Sequence, residues 1–151
     1  MKRVFSGVLA MAFAAAALVA GSGVASADVV VGPGKSGSVC TGYKYMPGNS
    51  KLYWQTCAWA DNNEVYFTVN FGNATGSAWS VDYVTNDYYK SGVFYACPYA
   101  IANFVVPAHS VRGTPTADCA IPRTRAAYQG IGEVQDGGYH QSATTDSLQV
   151  Q

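Results

Sequence analysis

The side chains best suited to general acid–base chemistry near neutral pH are two histidines, His109 and His140. His109 stands beside Ser110, and Asp118 follows in the same stretch. These three residue types form the triad of serine hydrolases, in which histidine takes the proton of the serine nucleophile. Adjacent residues of an extended chain point to opposite sides, so Ser110 and His109 are not expected to meet. We therefore interpret His109 as a surface residue in a polar loop.

Acidic side chains could form the carboxylate pair that glycoside hydrolysis requires. Their spacing selects no pair, and most lie in or beside turn signals, where Asp supports the local backbone or stays solvated: Asp61, Glu64, Asp82, Asp87, Asp118, Glu133, Asp136 and Asp146. Two histidines cannot make a three-histidine metal site, and no two cysteines have the short spacing typical of zinc ligands. We predict a protein that is not an enzyme and that uses neither a cofactor nor a metal.

Arg112 could have a different role, which is to bind a protease. The stretch 107–122 contains Gly113 and several prolines, which predicts mostly loop. A disulfide-tied loop with arginine at its centre could fill the specificity pocket of a trypsin-like protease, because preorganisation limits the entropic cost of binding. Secreted serine-protease inhibition through Arg112 is therefore the alternative function.

Aromatic residues are more numerous than a small core needs, with 11 Tyr, 6 Phe and 3 Trp. Both faces of the stretch 52–59 carry them, so some must be exposed. Exposed tyrosine and tryptophan offer large, rigid contact area for protein recognition or carbohydrate stacking. We predict the hairpin 43–59 as the recognition face. The alternative is that the tyrosines serve only cross-strand packing.

The segment Asp28, Val29, Val30 and Val31 is apolar and β-forming, and the glycine-rich stretch that follows it resembles a flexible tether. Residues 28–37 are predicted as an extended segment plus tether. A free segment of this kind binds a partner by strand addition or by entering a cleft, so residues 28–31 are the predicted partner-binding site. The alternative is that they form the first strand of the domain's own sheet.

Residues 1–27 are predicted to be a secretory signal peptide. Lys2 and Arg3 precede an apolar run over 8–20, and Ala25-Ser26-Ala27 supplies a small-residue cleavage site. The glycines at 21 and 23 end the apolar run before it reaches the length that spans a bilayer. Loss of Lys2 and Arg3 leaves 7 basic and 9 acidic residues of the original 9 and 9. We expect a secreted, extracellular protein with a net charge near −2.

Low charge and the lack of a second long apolar run argue against two classes of partner. Only 12% of the residues are charged, about half the usual fraction of roughly 25%. A chain so nearly neutral has no positive field with which to bind phosphates, so nucleic acid is not an expected partner. No apolar run of spanning length follows the signal, so no membrane partner is expected either.

The even number of cysteines in a secreted chain predicts two disulfides. Four cysteines allow three pairings. If Gly48-Asn49 is a two-residue hairpin turn, Cys40 lies directly opposite Cys57, Tyr43 opposite Trp54 and Tyr45 opposite Leu52. Cys97–Cys119 then follows by elimination.

Alternating apolar residues predict the strands that carry these side chains. The run Val65, Phe67, Val69, Phe71 predicts a half-buried strand. A hairpin is predicted over 38–46 and 51–60, a bend over 86–92, an edge or bulge at Pro98, and a closing hairpin at 136–138. About seven short strands with no helical spacing predict an all-β domain over 38–151, an antiparallel β-sandwich of immunoglobulin-like type. A small closed barrel is the alternative.

The apolar segment 28–31 and the four-cysteine β-domain resemble the small secreted adaptor subunits of actinobacterial umbrella toxin particles. The resemblance implies a non-enzymatic bridge between a lectin-bearing subunit and a repeat-containing toxin subunit, used in bacterial competition. It also implies that the extended N-terminal segment, Asp28 to Val31, enters a cleft in the partner. The function predicted here is therefore a secreted protein-binding adaptor.

Overall fold

The computed structural model describes residues 28–151, and the predicted signal peptide lies outside them. These residues form two β-sheets packed face to face, with one 3₁₀ turn at Thr116–Cys119. The strands are β1 (Val29–Val31), β2 (Gly37–Cys40), β3 (Lys44–Met46), β4 (Asn49–Ala60), β5 (Glu64–Asn73), β6 (Trp79–Lys90), β7 (Val93–Val106), β8 (Ser110–Gly113), β9 (Ala120–Pro122), β10 (Ala126–Asp136), β11 (Tyr139–Thr144) and β12 (Leu148–Val150).

Each sheet contains six strands. The first sheet has the order β1-β12-β10-β6-β7, with β11 paired to β10; the second has the order β2-β4-β5-β8, with β3 paired to β4 and β9 to β5. All pairs are antiparallel except β1 with β12. No helix in residues 28–151 is long and apolar enough to cross a membrane.

The predicted all-β class and two-layer packing are confirmed, whereas the count of about seven strands is wrong. Twelve strands are present, and six of them have only three or four residues each: β1, β2, β3, β8, β9 and β12. A run that short shows too little alternation to be counted from its sequence.

The core confirms the predicted alternation in β5. Val65, Phe67, Val69 and Phe71 are fully buried between the sheets. Two glycines of β10 let the sheets approach each other closely. A Cβ atom at Gly132 would lie 2.4 Å from Thr56 Oγ1. A Cβ atom at Gly130 would lie 3.3 Å from the carbonyl oxygen of Cys57.

The predicted disulfides, Cys40–Cys57 and Cys97–Cys119, are both present. Cys40 lies opposite Cys57 as predicted, with a Cα–Cα distance of 4.1 Å. The second disulfide joins the edge strand β7 to the 3₁₀ turn.

The predicted turn at Gly48-Asn49 is wrong by one residue. Met46 pairs with Asn49, so the turn residues are Pro47 and Gly48, and Gly48 has φ +72°. Proline followed by a residue of positive φ is the pattern of a type II turn. The register shifts between Tyr45 and Met46, and again on the way to Cys40. The predicted pairs change accordingly: Lys44 lies opposite Trp54, and Tyr45 lies opposite Tyr53.

Two predicted irregular stretches are largely strand. The predicted bend at 86–92 is wrong up to Lys90, because β6 continues through it with a bulge near Asn86. The buried Asn86 side chain donates to Thr114 Oγ1 at 3.0 Å, which holds this part of β6 in the sheet. The predicted loop at 107–122 contains β8, the 3₁₀ turn and β9, because both short strands pair with β5.

The closing hairpin is confirmed. Asp136 pairs with Tyr139 across Gly137 and Gly138, whose φ angles are +53° and +86°. Two consecutive positive φ angles are those of a type I′ turn, which matches the twist of the strands it joins.

Candidate binding surfaces

The N-terminal segment is a strand of the domain in the structure. Val29–Val31 pair in parallel with Leu148–Val150. Val31 is 2% exposed, and its carbonyl oxygen accepts the N–H of Gln151 at 2.9 Å. The free-segment interpretation of residues 28–31 is therefore not what the structure shows, because one side of the β1 backbone is bonded to the C-terminal strand and the core buries Val31.

The stretch after β1 is anchored by Arg123, in contrast to the flexible tether predicted for residues 32–37. The guanidinium donates to the carbonyl oxygens of Gly32 at 2.7 Å and Lys35 at 2.6 Å. It also donates to the carbonyl oxygen of Asp61. We call these contacts the Arg123 clamp. It joins the connection between β1 and β2 to the β4–β5 turn, and charge-assisted bonds of this kind are stronger than neutral ones.

Three tyrosines form an exposed patch on the outer face of the second sheet. Tyr43 and Tyr45 are each 54% exposed, and their rings lie 4.8 Å and 5.9 Å from the ring of Tyr53. Tyr53 lies over Gly72, where a Cβ atom would be 2.0 Å from the tyrosine ring. The glycine thus lets the ring lie flat on the sheet. Tyr43, Tyr45 and Tyr53 are called the tyrosine cluster below.

Strand β7 is an edge strand, as Pro98 predicts, and we call residues 93–106 the β7 edge. In residues 28–151 no other strand pairs with its outer side. No charged residue occurs between Lys90 and Arg112. Five large apolar side chains on this strand are 42–59% exposed: Val93, Phe94, Tyr95, Tyr99 and Val105.

The β7 edge is held in shape by contacts with β6. Tyr95 stacks on Tyr88 with ring centroids 5.2 Å apart. At the bulge beside Pro98, the N–H of Cys97 donates to Asp87 Oδ1 at 3.1 Å. Burial raises the pKa of Asp87, although this hydrogen bond opposes the shift.

A groove of about 710 Å³ crosses the outer face of the second sheet. Its lining contains a tryptophan, hydroxyl side chains, one amide and the Cys40–Cys57 disulfide: Ser36, Gly37, Ser38, Cys40, Cys57, Trp59, Ala60, Thr68, Asn70, Gly113, Thr114 and Thr116. None of these side chains carries a charge.

The candidate triad is not assembled. His109 has φ +51° and is exposed. The hydroxyl of Ser110 donates to the carbonyl oxygen of Pro107 at 2.7 Å, while Asp118 lies on the 3₁₀ turn. The other histidine, His140, is exposed, and its Nε2 lies 2.8 Å from Glu133 Oε1. His109 is a surface residue, as predicted, and His140 is one as well.

Among the acidic residues, the structure brings Asp61 and Glu64 to one hydroxyl. Asp61 Oδ2 and Glu64 Oε2 lie 2.9 Å and 2.8 Å from the Tyr66 hydroxyl oxygen. These contacts raise the pKa of Tyr66. Asp61 Oδ1 accepts the N–H groups of Asn63 and Glu64, which lowers the pKa of Asp61. Asp61 therefore supports the β4–β5 turn. No cluster of three or more metal-ligating side chains occurs in residues 28–151.

Arg112 lies on a strand and not at the tip of a loop. It pairs with Phe71 of β5. Its guanidinium lies 4.7 Å from the centre of the Phe104 ring and donates to the carbonyl oxygen of Val105 at 2.5 Å. The side chain therefore folds back onto its own domain, which is not the extended presentation that a protease pocket requires.

The sequence interpretation missed Arg123 and the groove. Outward-facing Thr68 and Asn70 follow from the alternation in β5, but the groove also needs residues 113–116 beside them, and only the tertiary fold supplies those. No local signal distinguishes Arg123 from the exposed Arg125, because the acceptors of Arg123 lie 62 to 91 positions away along the chain.

Comparisons of the chain with protein-family models, with curated proteins and with solved structures found no match. What the protein binds has therefore to be inferred from its own surfaces.

Proposed function

We propose that this protein is a secreted, non-enzymatic adaptor that binds two other proteins through separate surfaces, the β7 edge and the tyrosine cluster. The observation that carries the proposal is the uncharged, exposed edge of β7. The two disulfides support an extracellular location, because disulfides persist in oxidising compartments.

The β7 edge is suited to binding an extended segment of a partner. An edge strand offers backbone N–H and C=O groups in a row, and proteins ordinarily protect such edges with charged residues, proline or bulges. The β7 edge has Pro98 and its bulge near the middle but no charge along its length. A partner strand would gain main-chain hydrogen bonds here and cover the exposed side chains, including Tyr99 and Val105.

The tyrosine cluster is suited to a second protein. Its rings pack on one another and on the flat surface at Gly72, so they lose little freedom on binding. The cluster lies on the second sheet, whereas the β7 edge belongs to the first. Both surfaces are therefore open to different partners at once, which is what an adaptor needs.

In the finer form of the proposal, the partners are a lectin-bearing subunit and a repeat-containing toxin subunit of an extracellular toxin complex. The fold is of immunoglobulin-like type, a finer assignment that two packed, mainly antiparallel sheets support. The partner site is assigned to the β7 edge in place of residues 28–31, because β1 has only 3 residues and buries Val31, whereas β7 has 14 residues and exposes five large apolar side chains.

Affinity purification from the native culture supernatant tests the proposal. C-terminally tagged wild type, Tyr99→Lys and Val30→Lys are compared, and co-purifying proteins are identified by mass spectrometry. Tyr99 and Val30 are matched, since both are 59% exposed and lie on opposite edges of one sheet. We expect wild type and Val30→Lys to recover a large complex from which Tyr99→Lys loses one partner.

A Tyr43→Ala/Tyr45→Ala variant should lose a different partner from the one lost by Tyr99→Lys. Recovery of the wild type alone would contradict the adaptor function. Loss of the complex in Val30→Lys with retention in Tyr99→Lys would return the partner site to the N-terminal segment. Recovery with a protease, abolished by Arg112→Ala, would establish the inhibitor alternative.

A further inference from the structure

The groove on the second sheet has an immobilised aromatic wall. The indole of Trp59 stacks on Tyr66 with ring centroids 4.1 Å apart and an interplanar angle of 18°. Tyr66 is held in turn by Asp61 and Glu64 at its hydroxyl. Trp59 lines the groove whereas Tyr66 does not, so Tyr66 supports the indole from outside the groove.

The polar groups of the groove are neutral and lie on its floor and rims. Thr68 and Asn70 project from β5, and Ser38 lies directly opposite Trp59 in the β2–β4 ladder. The amide of Asn70 donates to Cys57 Sγ at 3.2 Å, which fixes the orientation of the side chain. A Cβ atom at Gly113 would lie 2.5 Å from Asn70 Oδ1, so the glycine lets the amide oxygen lie close to the β8 backbone.

We propose that this groove binds a neutral, β-linked sugar ring of glucose configuration, such as a unit of an extracellular glycan. The C–H face of such a ring carries a partial positive charge that suits the negative face of an indole. Its hydroxyl or acetamido groups pair with the hydroxyls of Thr68 and Ser38 and the amide of Asn70. A charged sugar finds no counter-charge on the lining, and its desolvation opposes binding.

This site goes beyond the adaptor function and can be tested without the partners. Residues 28–151 are titrated by calorimetry with chitohexaose and cellohexaose, two neutral β-linked oligosaccharides, and with polygalacturonate as the charged probe. We expect saturable binding of at least one neutral probe and none of polygalacturonate. Trp59→Ala should weaken binding at least tenfold, and Tyr45→Ala, on the same sheet but outside the groove, should bind as the wild type does.

Ser38→Phe is the second variant, since Ser38 is exposed and a phenyl ring there would cover the indole without disturbing the core. Ser38→Phe should also weaken binding at least tenfold, and this variant tests the proposal if Trp59→Ala fails to fold. No saturable binding of either neutral probe would overturn the proposal, as would unchanged binding in Ser38→Phe. Loss of partner capture in Ser38→Phe, without sugar binding by the wild type, would assign the groove to a protein side chain instead.

Discussion

The two edges of the first sheet have similar sequences and different structural roles. Both β1 and the β7 edge are uncharged and rich in β-forming apolar residues. At β1, the C-terminal strand pairs with the backbone, the core buries Val31, and the Arg123 clamp fixes the next turn. At β7, which like β1 has one unpaired side within residues 28–151, five large side chains are exposed. An apolar β-forming segment is thus available for binding only where the fold leaves its side chains uncovered.

The largest effect on the free energy of unfolding is expected from a substitution that disrupts the packing of β1. Val31→Asp puts an unpaired carboxylate into the core and should lower the free energy of unfolding by more than about 3 kcal/mol. Val30→Asp, on the exposed side of the same strand, should change it by less than about 1 kcal/mol. Urea denaturation measures both. If the two variants have equal stability, β1 is not packed as described and residues 28–31 are a free segment after all.

Removing the Arg123 clamp should have the next largest effect. Arg123→Ala deletes hydrogen bonds to three carbonyl oxygens and should cost about 2 kcal/mol. Limited proteolysis should then cut within residues 32–37, which the wild type protects. Arg125→Ala is the matched control, since Arg125 is exposed and lies two positions along the chain. Equal protection of residues 32–37 in Arg123→Ala and the wild type would refute the clamp.

Two carboxylates, Asp61 beside the Arg123 clamp and Asp87 beside the β7 edge, should make stability depend on pH in opposite directions. These effects should be smaller than the two above. The pKa of Asp61 is lowered by the N–H groups of Asn63 and Glu64 and by Tyr66, so its carboxylate stabilises the fold above its unfolded pKa. That stabilisation is lost as the pH falls through the lower, folded pKa. Asp61→Asn should therefore reduce the urea midpoint at pH 7, and the difference from wild type should shrink under acid conditions.

Asp87, beside the β7 edge, should behave in the opposite way. Burial and the nearby Glu133 charge raise its pKa. Between the unfolded and the folded pKa, the folded state therefore holds a proton that the unfolded state has released. Stability then falls as the pH rises from the unfolded pKa through the folded one. Asp87→Asn keeps an oxygen acceptor for the Cys97 N–H and should raise the urea midpoint at pH 7. A lower midpoint would show that the ionised carboxylate is needed at the bulge.

Local pattern was enough to predict β5 and the disulfide pairs, but it did not decide the state of the edges. Alternation over seven residues located β5, and an edge position followed from Pro98 in β7. Cys40 was placed opposite Cys57 from a turn that is one residue out, because later register shifts compensate for the error.

The state of β1 could not be predicted, because it depends on Leu148–Val150 at the far end of the chain. The groove has the same property, since Trp59, Asn70 and Thr116 come from three separate elements that local periodicity does not bring together. Long-range pairing decides which apolar segment is covered and which side chains meet.

Hydrogen–deuterium exchange of the free protein and of the complex recovered from the culture supernatant compares the two edges most directly. The amides of Val29 and Gln151, which donate to the carbonyl oxygens of Ser147 and Val31, should be protected in both samples, because they hold β1 in the domain's own sheet. Amides of residues 93–106 that exchange in the free protein should become protected in the complex. Rapid exchange of the Val29 and Gln151 amides in the free protein, with protection gained there and not in β7 on binding, would contradict the account.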